Sequence, residues 1–152
     1  MVPDAPPIAF AWTDLRGKPL TAETMRGRVT VVCFIATYDV TSQAQVRFLQ
    51  RLHKEHSPRL NVALIVLEQP ENRPMIEAYA DALELPFPVA IADPATIRGE
   101  GPFQGLHHVP SVSILDRDGR ERFRHIGLIE WTPLEEAVER VEVMTGVKKQ
   151  GA

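Results

Sequence analysis

Two stretches of the chain, 29–36 and 60–67, are apolar at nearly every position and do not alternate. A strand with one wet face alternates with period two. An unbroken run of this length instead implies a strand covered on both faces, as in a parallel sheet. Between the two runs the period changes. Ala44, Val46, Phe48, Leu49 and Leu52 recur at helical spacing over 42–56, and Ser57-Pro58 stops that helix. A second helix follows Pro74, with Met75, Ile76, Tyr79, Ala80 and Leu83 along one side. A third is capped and started by Thr132-Pro133 and places Leu134, Ala137, Val138, Val141 and Met144 on its apolar side.

Shorter signals fill the gaps. Residues 8–12 alternate, 14–19 supply turn residues and Leu20 resumes, which reads as a short β-hairpin. Thr21 caps a single helical turn over 22–25, ended by Gly27. Residues 69–72 form a loop, 87–91 a short strand closed by Asp93-Pro94, and 95–108, with little periodicity, a loop with room for one short helix. Residues 111–115 alternate as a strand, 116–119 make a hairpin turn, and 121–126 return as its partner. The order predicts one α/β domain over 8–146, three layers with a mixed central sheet and a right-handed βαβ crossover. A proline-rich tail, 1–7, precedes it and a frayed tail, 147–152, follows.

Composition narrows the function classes. The chain has 152 residues, 44% hydrophobic and 24% charged, as in an ordinary globular domain. A net charge of -3 leaves no basic footprint for nucleic acid. No apolar run is long enough to span a bilayer. Residues 1–7 lack the charged and apolar regions of a signal peptide, so a membrane is reached only through an N-terminal anchor removed ahead of Met1. Cys33 is the one cysteine, which rules out an intramolecular disulfide and a zinc site built on several thiolates. No cofactor is expected.

Four phrases in order carry a family resemblance: FAWTDLRGKPL from Phe10, RGRVTVVCFIATY from Arg26, VPSVSILDRDG from Val109 and FRHIG from Phe123. Together they resemble the thioredoxin fold, and within it the TlpA/ResA-type thiol-disulfide oxidoreductases of the wider redoxin group. The resemblance implies an N-terminal hairpin on a thioredoxin-like domain, a cis Val109–Pro110 bond facing the start of the first long helix, and a location in the bacterial cell envelope. It does not carry the chemistry. Aligned on Ala36-Thr37, the tryptophan that precedes the family's Cys-x-x-Cys is Tyr38, and the two cysteines are Asp39 and Ser42. Thiol–disulfide exchange needs an attacking thiolate and a second thiol to resolve the mixed disulfide; a carboxylate and a hydroxyl supply neither. An acid three positions further on in many relatives is Gln45 here, and the peroxidatic cysteine of peroxiredoxins aligns with Ala44. Of the three copper ligands in the similar Sco-type proteins, only the histidine has a counterpart, His108, and soft Cu(I) needs the missing sulfur.

The residues themselves read as follows. Asp39 is a helix N-cap, with Thr41 and Ser42 in the same role. A nucleophilic Ser42 would need His107 or His108 as its base, and no nucleophile elbow accompanies it. His107 and His108 form a solvated loop pair, since adjacent histidines in an extended chain do not point at the same ion, and Trp12 and Trp131 are packing or half-exposed aromatics. Cys33 is a small core residue. The expected role is a non-catalytic module binding an extended peptide or protein in a groove lined by Thr37, Tyr38, Asp39, Thr41, Ser42, Val109 and Pro110. Two alternatives stand beside it: a one-cysteine oxidoreductase or peroxidase working through Cys33 with an external thiol, and a metal-binding relic using His108 and Asp39.

Overall fold

The computed structural model describes residues 6–150, with side chains described through Met144. In chain order the elements are β1 (Ala11–Thr13), β2 (Pro19–Thr21), α1 (Ala22–Met25), β3 (Val29–Ile35), α2 (Val40–His56), β4 (Leu60–Val66), α3 (Arg73–Leu83), β5 (Val89–Ile91), α4 (Pro94–Ile97), β6 (Ser111–Leu115), β7 (Glu121–Ile126) and α5 (Trp131–Gln150). A 3-10 turn, Pro70–Asn72, leads into α3.

Strand β3 is buried at all seven positions and sits mid-sheet. It pairs parallel with β4, whose far side pairs parallel with β5, and antiparallel with β6, whose far side pairs antiparallel with β7. The order is β5-β4-β3-β6-β7, and β1 and β2 form their own two-stranded sheet. One face of β3, through Val31, Cys33 and Ile35, joins a core with Leu49 of α2, Ile76 of α3 and Val138 of α5. Its other face, through Val32 and Phe34, joins a second core with Phe10, Trp12, Leu20, Phe103 and Leu106.

That second core is aromatic. The Phe103 ring lies 5.6 Å from Phe10, 6.0 Å from Trp12 and 5.3 Å from Phe34, centroid to centroid. The stretch read as a loop over 95–108 therefore folds inward. Its period is invisible because single anchors, Phe103 and Leu106, bury it rather than a regular face. The hairpin is tied to the same layer by Asp93, the N-cap of α4. Its Oδ1 accepts from Trp12 Nε1 at 2.9 Å and from Thr96 Oγ1 at 2.6 Å. Trp12 is thus a core residue, while Trp131 stays half-buried with the Arg51 guanidinium 4.0 Å over its ring.

Several boundaries move. Helix α2 starts at Val40, two residues before the apolar pattern begins, because Asp39 caps it. Helix α5 starts at Trp131, so Thr132 and Pro133 lie in its first turn, where a missing N–H costs nothing. It runs to Gln150 and replaces most of the expected tail; residues 151–152 and 1–5 lie outside the described residues. Strand β5 begins at Val89 rather than Phe87. The alternation in β6 does not mark a wet face: Ser111 and Ser113 are fully buried and donate to His108 O and Glu121 Oε2, both at 2.6 Å. Met75 and Leu83 of α3 are exposed, and Ile76 is the residue that α3 buries fully.

Removing the aromatic keystone, Phe103→Ala, is expected to destabilise the fold by about 3–5 kcal/mol, read as a lower urea midpoint at unchanged slope. A pH effect follows from Asp93. Burial pushes its carboxyl up, but hydrogen bonds from Thr96 and Trp12 outweigh this and hold it below the ordinary range. The unfolded chain then binds this proton more tightly. The contribution of Asp93 is complete above the ordinary carboxylate pKa and fades as pH falls through the lower folded value. Asp93→Asn should flatten that acid limb in a series of melting curves.

Candidate functional site

The C-terminal end of β3 turns at Ala36 and enters α2, and the turn is closed by its own side chains. Asp39 N donates to Ala36 O at 3.2 Å. Asp39 Oδ2 accepts from both Ser42 N and Ser42 Oγ, each at 2.8 Å. Ser42 Oγ in turn accepts from Ala36 N at 3.3 Å. The expected N-cap is present, and Ser42 is fully buried within it. With its proton given to Asp39 and its oxygen out of reach, Ser42 has no route to act as a nucleophile.

A residue that sequence reasoning missed supports the turn from below. Glu68 follows β4 and is 5% exposed. Its Oε2 accepts from Thr37 N at 2.6 Å and Thr37 Oγ1 at 2.7 Å, and its Oε1 accepts from Asn72 Nδ2 at 2.9 Å. The only sequence signal is a lone acid closing the apolar run 60–67. Gln45 is a second such brace. Fully buried in α2, it donates through Nε2 to Ile129 O at 3.2 Å and accepts at Oε1 from Ile129 N at 2.9 Å. An amide offers both a donor and an acceptor. An ionised carboxylate in its place would face the Ile129 carbonyl without a proton to give.

The turn shows two large side chains to solvent. Tyr38 is 74% exposed and Val40 79%, with Thr41 also exposed between buried Ser42 and half-buried Asp39. Phe34 pairs with Ser111 in the β3–β6 ladder. Continuing that register brings Pro110 beside Ile35 and Val109 beside Ala36, under the turn. The Val109–Pro110 bond is cis, Pro110 is buried and Val109 half-buried. Ile126, opposite Ser111 in the β6–β7 ladder, adds a further exposed apolar side chain on that rim.

The other candidates fall elsewhere. Cys33 is fully buried in β3, and burial pushes its thiol far above the ordinary range. Burial, and then the neighbouring Cys33 and Glu68, raise the Tyr79 phenol, whose buried hydroxyl has no hydrogen-bond partner among the described residues. His107 and His108 are exposed as expected, and their ring centroids lie 4.4 Å from each other in a segment that is bent rather than an extended strand. Among the described residues no hydrogen bond or ion pair joins His108 to Asp39, and the one cluster with three possible metal ligands is Glu55, His56 and Glu135, at the far end of α2.

No protein-family model matches the chain. Its sequence relatives include the thiol-disulfide oxidoreductase ResA of Bacillus thuringiensis (strain Al Hakam), 24% identical over 111 residues, which are 73% of this chain and 62% of ResA. The matched segment thus spans less than two thirds of that relative. Among solved structures, a thioredoxin-family thiol:disulfide interchange protein from Chlorobium tepidum superposes with a TM-score of 0.77 at 21% identity, covering 90% of this chain and 95% of that one. The pneumococcal exposed lipoprotein thioredoxin from Streptococcus pneumoniae gives 0.72 at 15% identity, covering 87% and 98%. The chain has a thioredoxin-like fold and is similar in sequence to the ResA-type thiol-disulfide oxidoreductases.

The two supports of the turn should differ in cost. Glu68→Ala strands the Thr37 N–H and hydroxyl in the interior and is expected to cost about 3 kcal/mol in chemical denaturation. Asp39→Ala removes a cap at the solvent boundary and should cost about 1 kcal/mol.

Proposed function

We propose that this chain is a non-catalytic binding module on the ResA-like thioredoxin fold. It takes an extended segment of a peptide or protein partner in the groove between the 37–42 turn and Val109–Pro110. The observation that carries this reading is the pair Tyr38 and Val40, three-quarters exposed on a turn whose Ser42 N–H and hydroxyl are already bonded to Asp39 Oδ2. Such a surface offers contact area without a reacting group.

Two facts support the absence of redox chemistry. Aligned on Ala36-Thr37, Asp39 and Ser42 stand where the resembling oxidoreductases have their cysteine pair, and the one thiol, Cys33, is fully buried with its proton held tightly. Only a thiolate with access to solvent attacks a disulfide or a peroxide. The same burial stands against the one-cysteine oxidoreductase reading. The name of the pneumococcal relative, an exposed lipoprotein, supports placing this protein in the cell envelope.

Insulin reduction and peroxide consumption by the full chain should equal those of Cys33→Ala, and Cys33 should react with a thiol reagent only on unfolding. A native rate clearly above that of the variant overturns the reading. On an array of extended peptides, the double variant Tyr38→Ala, Val40→Ala should lose roughly ten-fold in affinity for any sequence that the native chain captures.

A further inference from the structure

A cleft of about 900 Å³ opens between the tip of the β1–β2 hairpin, helix α3 and the segment entering β5. It lies at the opposite end of the sheet from the 37–42 turn, since Met25 before β3 and Phe87 before β5 line it, while the turn follows the C-terminal end of β3. Its floor is apolar, formed by Leu15, Leu20, Met25, Leu85, Phe87 and Val89. Its walls are tied together in advance. Leu15 N donates to Val89 O at 2.8 Å, and Arg73, in the first turn of α3, donates from Nη2 to Leu15 O at 3.2 Å. A recess held open in this way needs little ordering when it is filled.

The two walls carry opposite free charge. On the hairpin, Asp14 is buried and accepts from the backbone N–H groups of Arg16 and Lys18, which leaves the Arg16 and Lys18 side chains as its exposed charges. On α3, Glu77 is paired with Arg73, which leaves Asp81 and, at the helix C-terminus, Glu84. Among the described residues none of these four side chains has a hydrogen bond or ion pair, so the walls do not close on each other. The acidic wall also runs against local preference. Asp81 and Glu84 sit where the helix dipole is already negative, and α3 has no basic residue in its last turn to offset them. Glu84 is the one described non-glycine residue with positive φ, at 49°, in the C-cap position that glycine fills most readily. A carboxylate kept at such a place concentrates negative potential at one side of the cleft, facing the two cations across it.

A purely anionic or purely cationic ligand would be repelled by one wall, and a purely apolar one would leave four charges against its surface. The volume is near the upper end of the roughly 300–1,000 Å³ typical of single-ligand pockets, which suits several linked residues. From this charge complementarity we infer that the cleft is a second docking site. It takes an extended peptide segment of a partner protein in which apolar residues lie between one basic and one acidic residue. The basic residue meets Asp81 and Glu84, and the acidic residue meets Arg16 and Lys18.

The test is an amide-resolved NMR titration of the full chain. The probes are the capped peptides KLVLE and ELVLK, one for each chain direction, with QLVLQ as the uncharged control. The expected result is saturable shifts at residues 14–20 and 80–89 for one charged peptide, with a Kd below about 1 mM and at least ten-fold weaker binding of the control. Lys18→Ala and Glu84→Gly should each weaken that peptide several-fold. Glu84→Gly should at the same time raise the Tm by about 2–4 °C by relieving the left-handed backbone, so its weaker binding could not come from a damaged fold. The inference is overturned by no saturable shift for either charged peptide, by equal binding of the control, or by unchanged affinity in both variants. Shifts confined to residues 37–42 also overturn it, while leaving the groove at the other end of the sheet intact.

Discussion

The structure is organised around the complete burial of β3. A strand with no exposed edge and no exposed face must find every backbone partner in neighbouring strands and every side-chain contact in covering layers. β4 and β6 supply the first. Helices α2, α3 and α5 on one side, and the hairpin with the 95–108 segment on the other, supply the second. Once those are in place, the end of β3 can only emerge at the surface at Ala36, and α2 must begin within a few residues of it. The position of the 37–42 turn is a consequence of burying the strand before it.

That turn shows how such a scaffold holds a negative charge. A helix N-terminus following a buried strand favours an anion. In the resembling family the anion is a thiolate, which must stay reachable to react. Here it is the Asp39 carboxylate, and its inner oxygen is committed to the Ser42 amide and hydroxyl. Glu68 holds the turn from beneath, so two carboxylates stabilise a loop that carries no thiol. The negative charge is structural, and the large side chains left to solvent are Tyr38 and Val40. At the other end of the sheet the balance is reversed: Arg16, Lys18, Asp81 and Glu84 remain unengaged around an apolar floor.

The elements legible in the sequence were those whose signal is local. The unbroken runs at 29–36 and 60–67, the Asp39 cap, the 116–119 turn and the Thr21-capped helical turn all depend on neighbours a few residues away, and each falls where expected. The burial of Cys33 was legible for the same reason, since it stands inside a run with no wet face. The composition also carried the absence of a cysteine pair, because a count of one cysteine needs no coordinates.

Contacts between distant segments were decided only by the tertiary structure. Phe103 has no periodic neighbours, so nothing in its own stretch announces that it completes an aromatic cluster with Phe10, Trp12 and Phe34. Glu68 reads as an ordinary surface acid until the β3–β4 register sets it beneath Thr37, and Gln45 reads as a helix-surface residue until the segment between β7 and α5 delivers the Ile129 backbone to it. The opposed charges of the hairpin and α3 face one another only because the hairpin docks on β5. A sequence determines its periods and its missing groups by itself, because these are local or can be counted. Which polar group satisfies which buried partner depends on segments tens of residues apart, and only the packed fold brings them within hydrogen-bond reach.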